Sequence, residues 1–330
     1  MITKRDLTRL LAGAGTLAAM PAPVRAQGEA DRDYPDRPVR IIVPYGPGGT
    51  NDIIARILGQ KMTETFGQPF VVENRPGAQA IIGTELVARS RPDGYTLLIG
   101  ASGPIVFNPA TYDRLGYDPL QDLAPVSNLT SFPLILLVSA ESPFRSVQEL
   151  VAFAKGNPDR ANYGTPAASF QLAAELFNQK AGTRFVNVAY RGSADTIAAT
   201  ARREVTMSLV DTAPAAGPLA GGLVRALAVT SPQRLEAYPE IPTLEELGFP
   251  GVQVVLWTGM LAPAGTPDGI VRKLQKEAAR IIGLPDVRER LSSLVLEPVG
   301  STPEEFRRTI ASEIALWRGV AQAANIRFER

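Results

Sequence analysis

The chain has neither histidine nor cysteine among its 330 residues. Without imidazole or thiolate groups it cannot form a His or Cys metal site, a Ser-His-Asp triad or a cysteine nucleophile. Disulfides are equally impossible, so cysteine usage does not report the redox compartment. We therefore expect no metal and no other cofactor. Chemistry based on Asp, Glu, Lys or Ser-Lys groups remains open.

A large excess of charge of one sign is also lacking. The chain carries 34 Lys and Arg residues against 33 Asp and Glu residues. This balance does not indicate a basic face, so no nucleic-acid or anionic-lipid partner is expected. An apolar fraction of 45% fits an ordinary globular protein, and at roughly 100–200 residues per domain the length predicts two domains. Because the sequence shows no pattern typical of an oligomer interface, we expect a monomer.

The first 26 residues are typical of a secretory signal peptide. Lys4, Arg5 and Arg9 precede a short apolar stretch, residues 10–20, about half of the ~20 residues that span a bilayer. Small residues then predict cleavage after Ala26, with export to a Gram-negative periplasm. Cleavage removes four basic residues and one acidic residue, so the mature net charge is about −2. The segment also resembles a twin-arginine signal with Lys in the first Arg position, which leaves both export routes open.

Short apolar, β-branched runs alternate with amphipathic segments along the rest of the chain. This alternation predicts an α/β fold with helices on both faces of the sheet. The predicted strands are residues 39–43, 70–73, 96–100, 134–139, 185–189, 205–210 and 226–230. The predicted helices are residues 51–66, 83–89, 147–155, 172–181, 195–202, 268–282 and 303–324.

Two extended segments, residues 124–132 and 251–257, could carry the chain from one domain to the other and back. The first domain would then be discontinuous, comprising residues 27–128 plus 252–330, with residues 129–251 as the second. The two crossings would form a hinge.

Three local features give structural predictions. Thr266 before Pro267 predicts an N-cap for the helix that follows. Thr302 and Glu305 predict a capping box at the start of the last helix. Trp257 and Trp317 are expected to pack in the core rather than against a ligand.

The glycine-rich segment of residues 44–52, between a strand and a helix, is the most informative loop. It lacks the Gly-Lys-Ser/Thr ending of a P-loop and the last glycine of a dinucleotide fingerprint. Thr50 is interpreted as the N-cap and Asp52 as an acid in the first turn. The functional interpretation is a carboxylate held by backbone amides, with Asp52 fixing water or an ammonium group. The alternative is a tight turn without a ligand.

Further small polar loops follow other predicted strands. They occupy residues 100–103, 163–169 and 190–195, and Asp211 follows another strand. In open α/β sheets, ligands bind outside the carboxyl ends of strands, so these loops are predicted to face a common cleft. Any one hydroxyl in them is more often a helix cap than a ligand contact.

Seven segments in order resemble the solute-binding proteins of tripartite tricarboxylate transporters, the Bug family. They cover essentially the whole mature chain and are residues 34–52, 72–77, 92–97, 190–193, 225–230, 261–267 and 297–300. The resemblance implies a two-domain periplasmic-binding-protein fold, type II-like, that closes around an organic acid and serves a membrane permease. It also implies that two facing loops grip a carboxylate, largely through backbone amides and ordered water. The positions that match the family's cleft are Tyr45, Gly46, Gly48, Gly49, Thr50, Asn51, Asp52, Ser102, Gly164, Thr165, Ala168, Ser169, Phe170, Gly192, Ser193 and Asp211.

Departures from the family pattern bear on the ligand. The second loop is shorter and has less glycine, residues 79–81 replace a Gly-Gly-Asn run, and Pro104 and Ile105 replace a polar pair, with Phe107 nearby. These changes remove hydrogen-bond donors, so one hypothesis is a carboxylate with an apolar or aromatic body. The alternative is that these side chains pack away from the cleft.

An exported enzyme is the alternative to a receptor. It would act on a carboxylate substrate with Asp52 or Asp211 as the base. No residue spacing requires such an activity, so the sequence favours a receptor that is not an enzyme.

Overall fold

The computed structural model describes residues 33–190 and 192–327. The predicted signal peptide and its cleavage site lie outside these residues, as does Arg191 of the 190–193 motif. Within the part of the chain that is described, no helix has the length and apolar character needed to cross a bilayer.

Strands and helices alternate along the chain, and every predicted element is present. The strands are β1 Val39–Val43, β2 Phe70–Asn74, β3 Thr96–Ala101, β4 Leu123–Ser139, β5 Asn162–Thr165, β6 Val186–Ala189, β7 Met207–Asp211, β8 Val224–Val229, β9 Val255–Pro263 and β10 Glu297–Pro298. The helices are α1 Thr50–Phe66, α2 Ile81–Ala88, α3 Asn108–Thr111, α4 Val147–Gly156, α5 Ala168–Ala181, α6 Ser193–Ala201, α7 Thr212–Ala220, α8 Asp268–Ile282, α9 Pro285–Ser292 and α10 Pro303–Ala323, with a π-helix Gly103–Phe107 before α3.

The first strand group has the order β2-β1-β3-β9-β4. β1 pairs in parallel with β2 and β3, whereas β9 is antiparallel to both β3 and β4. Ile41, Ile42 and Val43 of β1 are fully buried, because a parallel strand has both of its faces covered.

The second strand group, β6-β5-β7-β4-β8, repeats this arrangement. β5 pairs in parallel with β6 and β7, and β4 is antiparallel to β7 and β8. In each group, three parallel strands stand in the order second-first-third and an antiparallel strand follows. No sequence repeat accompanies this repetition, so it is a property of the topology.

β4 belongs to both groups. It is one strand of 17 residues, although the sequence predicts an extended segment followed by a separate strand. Pro133 lies between the two predicted segments. Proline lacks an N–H and therefore argues against a central strand, yet β4 continues through it. The first part of β4 pairs with β9 and the second part with β7 and β8. Two register shifts against β9 lie on either side of Asn128 and mark β-bulges.

Thr230 forms hydrogen bonds at the place where the two strand groups meet. Its N–H donates to the Leu134 carbonyl at 2.9 Å, and the Leu134 N–H donates to its Oγ1 at 2.8 Å. The Thr230 hydroxyl donates to the Val254 carbonyl at 2.5 Å. One fully buried side chain therefore joins β4 to the end of β8 and to the approach to β9.

Among the described residues, buried apolar side chains form a larger and a smaller core cluster. In the larger cluster, Trp257 packs edge-on against Phe306, with their ring centroids 4.9 Å apart. The ring centroids of Phe107 and Trp317 are 4.6 Å apart. Both tryptophans are buried, at 1% and 3% exposure, which confirms their predicted core role. The smaller core cluster consists of Ile135, Leu137, Ile197, Val210, Ala215, Val224, Val229, Leu235 and Ile241.

Two of the three predicted helix caps, those at Thr266 and Thr302, have different outcomes. The capping box at Thr302 and Glu305 is confirmed, with both reciprocal hydrogen bonds present. The predicted Thr266 cap is wrong, because α8 starts at Asp268 with Pro267 as its N-cap. The Thr266 hydroxyl instead donates to the Pro263 carbonyl at 2.7 Å and closes the turn after β9.

We expect Thr230→Val to lower the free energy of unfolding by about 1–3 kcal/mol, because buried carbonyl and N–H groups lose their partner. Urea unfolding at neutral pH measures this change. The control is Thr309→Val, since the exposed Thr309 hydroxyl bonds only within its own helix and its loss should stay within about 0.5 kcal/mol. Equal effects of the two substitutions would contradict the role given to Thr230.

Candidate ligand-binding site

The carboxyl ends of the two sets of parallel strands meet at the middle of β4. β3 ends at Ala101, whose register partner on β9 is Thr258, and Thr258 in turn pairs with Thr130 of β4. β7 ends at Asp211, which pairs with Leu134 of β4. These two points on β4 are four residues apart, or about 13 Å at 3.3 Å per residue. The loops that follow the strands of both groups therefore converge on one region.

The loop after β1 exposes its backbone. Gly46, Gly48 and Gly49 are all exposed, and a Cβ added at any of them would meet no atom within 4 Å. Gly48 has φ +85°, which favours glycine. Gly46 and Gly49 have no positive φ, so neither packing nor backbone geometry requires glycine there. At these two positions the absence of a side chain leaves the backbone open to a ligand.

Helix α1 begins directly after this loop without a side-chain cap. Its N-cap is Gly49, so the predicted Thr50 cap is wrong and Thr50 is the first helical residue. The first backbone bond of the helix runs from the Ile53 N–H to the Gly49 carbonyl. The N–H groups of Thr50, Asn51 and Asp52 precede it, and they have no acceptor in the helix. Such groups attract an anion.

The Asp52 carboxylate holds the loop. Its Oδ2 accepts hydrogen bonds at 2.9 Å from the Gly48 N–H and from Arg56 Nε, and its Oδ1 accepts one at 2.9 Å from Asn74 Nδ2. Burial raises the pKa of Asp52, but these hydrogen bonds outweigh burial and hold the pKa below its ordinary value. Asp52 is therefore ionised, with both oxygens bonded to the protein.

Arg56 and Asn74 were not among the predicted site residues. Asn74 Nδ2 also donates to the Tyr45 carbonyl at 3.1 Å, and Arg56 Nη2 donates to Asn74 Oδ1 at 3.3 Å. The i,i+4 spacing of Asp52 and Arg56 is a sequence signal for the first contact. The position of Asn74 at the carboxyl end of β2 becomes informative only once β1 and β2 are known to be neighbours.

Two further residues tie this loop to its surroundings. Asn51 Oδ1 accepts a hydrogen bond at 2.8 Å from the buried hydroxyl of Thr258 on β9. The Tyr45 hydroxyl lies 3.2 Å from the position that a Cβ on Gly103 would occupy. Burial raises the pKa of Tyr45, and nearby Tyr117 acts in the same direction. Ser102, which precedes the π-helix, is buried.

In the second group, Gly164 and Thr165 end β5. A Cβ on Gly164 would lie 2.9 Å from Thr196 Cγ2, so this glycine permits the close packing of α6 on the strand. The Thr165 hydroxyl donates to Asn187 Oδ1 at 2.6 Å. Both residues are buried and structurally engaged.

Helices α5, α6 and α7 all begin at this edge without side-chain caps. Ala168, Ser169 and Phe170 form the first turn of α5 and are partly buried. α6 starts after Gly192, which has an extended backbone and where an added Cβ would meet no atom within 4 Å. The N–H groups of these first turns can therefore serve a bound anion.

Ser193 and Asp211 form a hydrogen-bonded pair at the start of α6 and the end of β7. Ser193 Oγ donates to Asp211 Oδ1 at 2.5 Å. Burial raises the pKa of Asp211, although the hydrogen bond from Ser193 acts in the opposite direction. Next to this pair, the buried Thr212 Oγ1 has no hydrogen-bond partner among the described residues.

The apolar residues after Ser102 do not line this region. Pro104, Ile105 and Phe107 are fully buried in the larger core cluster or beside it, and Phe107 packs on Trp317. Phe170 also packs against that cluster. Pro104, Ile105 and Phe107 thus provide no apolar surface for a ligand, whereas Phe170 is only partly buried. For the first three, the alternative of packing away from the cleft is correct.

Comparisons with solved structures show that the fold is that of periplasmic binding proteins, since periplasmic binding protein BugD aligns with a TM-score of 0.76 and 30% identity, over 90% of this chain and 100% of that one. R. palustris Rpa4515 with adipate aligns with a TM-score of 0.79 and 34% identity, over 90% of this chain and 100% of that one. MatC (Rpa3494) from Rhodopseudomonas palustris with bound malate aligns with a TM-score of 0.75 and 31% identity, over 87% of this chain and 99% of that one.

Sequence comparison identifies the family. Residues 54–326 match the family described as Tripartite tricarboxylate transporter family receptor. Protein BugT of Bordetella pertussis is 34% identical over 96% of this chain and 98% of that protein. The chain therefore belongs to the tripartite tricarboxylate transporter receptors, the family of the Bug proteins. Its members are periplasmic binding proteins, so the predicted fold class and family are confirmed.

We expect Asp52→Asn to destabilise the protein by about 1–3 kcal/mol at pH 7, because an amide cannot replace the hydrogen bonds of a charged acceptor. The folded-state pKa of Asp52 is lowered, so its contribution is complete above the unfolded-state pKa and is lost as pH falls. The difference between variant and parent should therefore shrink as the pH falls below about 3.9, the ordinary pKa of an aspartate.

Urea unfolding at pH 7 and at low pH tests this expectation. The control is Asp159→Asn, which changes an exposed acid outside the site and should leave stability within about 0.5 kcal/mol at both pH values. A difference for Asp52→Asn that is independent of pH would contradict the ionised, hydrogen-bonded role.

Proposed function

We propose that this protein is a periplasmic receptor that captures a small organic acid, a di- or monocarboxylate, by domain closure. It delivers the ligand to the membrane permease of a tripartite tricarboxylate transporter. The observation that carries the proposal is the open, glycine-rich and uncapped start of α1. The adipate of Rpa4515 and the malate of MatC support a carboxylate as the ligand class.

The two strand groups support a two-lobe receptor. The first lobe comprises residues 27–128 plus 252–330 and the second lobe residues 129–251. β4 and β9 pair where the chain crosses between them, so bending there opens and closes the cleft. Closure of this kind is a general mode of domain motion around ligands.

Backbone amides supply most of the attraction for the ligand. The first loop contributes the N–H groups around Gly46, Gly48, Gly49, Thr50, Asn51 and Asp52, with Tyr45 and Ser102 beside them. The second lobe contributes Gly164, Thr165, Ala168, Ser169, Phe170, Gly192, Ser193 and Asp211. Closure excludes water, which strengthens each amide contact relative to bulk solvent. Asp52, Arg56 and Asn74 act indirectly by holding the first loop in shape.

The burial of Ile105 and Phe107 leaves the hypothesis of an apolar or aromatic ligand body without support from these residues. We therefore assign the ligand to small organic acids without an aromatic requirement. Ionised Asp52, with both oxygens bonded, is poorly suited to act as a base. The Ser193–Asp211 pair has no imidazole to complete a triad, because the chain contains no histidine. Both observations support a receptor that returns its ligand unchanged.

We expect Gly46→Ala and Gly49→Ala to weaken ligand binding at least about tenfold, or 1.4 kcal/mol. A methyl group at either position fits the ligand-free fold, so the free energy of unfolding should change by less than about 1 kcal/mol. Isothermal titration with adipate, with malate and with any small molecule that co-purifies measures the affinity. Mass spectrometry before and after binding shows whether the ligand is recovered intact.

Gly156→Ala is the matched control, since Gly156 ends α4 and a Cβ there also meets no atom within 4 Å. Its affinity should equal that of the parent protein. If the parent binds a carboxylate and both loop variants bind it equally well, the first loop does not contact the ligand. Chemical conversion of the ligand would instead support the alternative of an exported enzyme that acts on a carboxylate.

We expect a Gram-negative host to export the full chain and remove residues 1–26, so that the mature protein begins at Gln27. N-terminal sequencing and intact mass of the periplasmic fraction check this. Arg5→Lys separates the routes, since it should stop twin-arginine export and leave general export unchanged. Retention of the leader in an exported protein would contradict cleavage after Ala26. Size-exclusion chromatography with light scattering tests for the expected monomer.

A further inference from the structure

The turn between α9 and β10 contains an unusual backbone conformation. Val295 has φ +55°, a region that L residues rarely adopt and that is least favourable for a β-branched side chain. The Leu296 N–H donates to the Leu291 carbonyl and the Val295 N–H to the Ser292 carbonyl. These two bonds form a Schellman motif, with Val295 at the left-handed position that glycine usually occupies.

Three other helices of this chain are followed by a left-handed Gly or Asn, and α6 is followed by Arg203 at φ +60° in the same type of turn, a residue that is not β-branched. Gly67 follows α1 and Gly182 follows α5, while Asn325 follows α10. The Asn325 turn has the same pair of hydrogen bonds, from Ile326 to Ala321 and from Asn325 to Gln322. Local geometry at the end of α9 would therefore be satisfied by glycine or asparagine. The Val295 side chain must be explained by what it contacts.

Val295 connects the two lobes. Its side chain packs against the smaller core cluster, which includes Ile135, Val210 and Leu235 of the second lobe. Its backbone belongs to the first lobe, residues 252–330 of the division above, and β10, which begins two residues later, pairs with Thr130 and Ser131 where β4 crosses between the lobes. A strained residue thus links the lobes beside the crossing and outside the ligand loops.

The surroundings of Val295 leave room for movement. A groove of about 310 Å³ lies between α9 and residues 235–237 of the second lobe, and Val295 is part of its lining. The buried Thr130 Oγ1, on the register partner of Pro298, has no hydrogen-bond partner among the described residues. A groove and an unbonded buried hydroxyl therefore lie beside the contact between the lobes.

We propose that Val295 is a positioning residue for ligand binding. Its side chain, held in a left-handed backbone, is a stop that sets the relative orientation of the two lobes in the ligand-free protein. A strained residue persists only where its surroundings hold it in place, and the contact with the smaller core cluster is what holds Val295. The inference rests on the proposed two-lobe receptor, but it concerns the hinge and not the ligand loops.

The test measures the distance between the lobes without ligand. Because the chain has no cysteine, Ala152→Cys on α4 and Lys276→Cys on α8 provide the two sites for spin labels, both exposed. Val295→Gly relieves the backbone and removes the contact. We expect it to broaden the distance distribution and to change the ratio of open and closed populations by about fivefold. Val295→Asn, which tolerates the same backbone but is polar, should act in the same direction.

Two control variants distinguish an effect of the Val295 side-chain contact from an effect of the helix-ending turn. Val295→Ile keeps the apolar contact and should keep the parent distribution, whereas Asn325→Gly changes an equivalent turn of the first lobe and should have no effect. An unchanged distribution in Val295→Gly, even with altered thermal stability, would overturn the proposal. A shifted distribution in a protein that binds no carboxylate would support the stop while the proposed ligand class fails.

Discussion

The antiparallel pairing of β4 with β9 is the constraint on which the rest of the structure depends. Each of these strands is the antiparallel neighbour of one set of parallel strands, so their pairing fixes where both sets end. β3 stops opposite Thr258 and β7 stops opposite Leu134, which brings two sets of loops to the same place. Thr230, directly after β8, forms hydrogen bonds to Leu134 of β4 and to Val254 before β9. The position of the proposed site is thus set by the register of these strands, and the loops supply its residues.

The proposed site needs no basic surface to attract an anion. Three helices begin there without side-chain caps, at Gly49, Ala167 and Gly192, and the N–H groups of such helix starts carry a partial positive charge. Such dipoles act over the length of a turn and do not depend on net charge. Asp52 lies in the middle of this region as a structural anion, neutralised by Arg56 and by hydrogen bonds. Specific binding of a carboxylate is therefore compatible with a nearly neutral protein.

Prediction from the sequence succeeded where the signal is local. Hydrophobic periodicity located α1, and the Thr302 capping box needs only four adjacent residues. It failed where a side chain or segment has more than one possible partner. The Thr266 hydroxyl closes a turn instead of capping α8, and the continuity of β4 through Pro133 depends on strands supplied from elsewhere in the chain.

The amino-acid sequence by itself determined the α/β class, the family, the absence of thiol and imidazole chemistry, and the glycine-rich loop as the centre of interest. Each of these depends on residue identity or short spacing. Only the tertiary structure decided that Gly49 and not Thr50 caps α1, that Asn74 joins Asp52 to the loop, and that Phe107 faces the core. The physical reason is that a side chain's role depends on which neighbours lie within a few ångströms. In this fold, strand pairing over long sequence separations selects those neighbours.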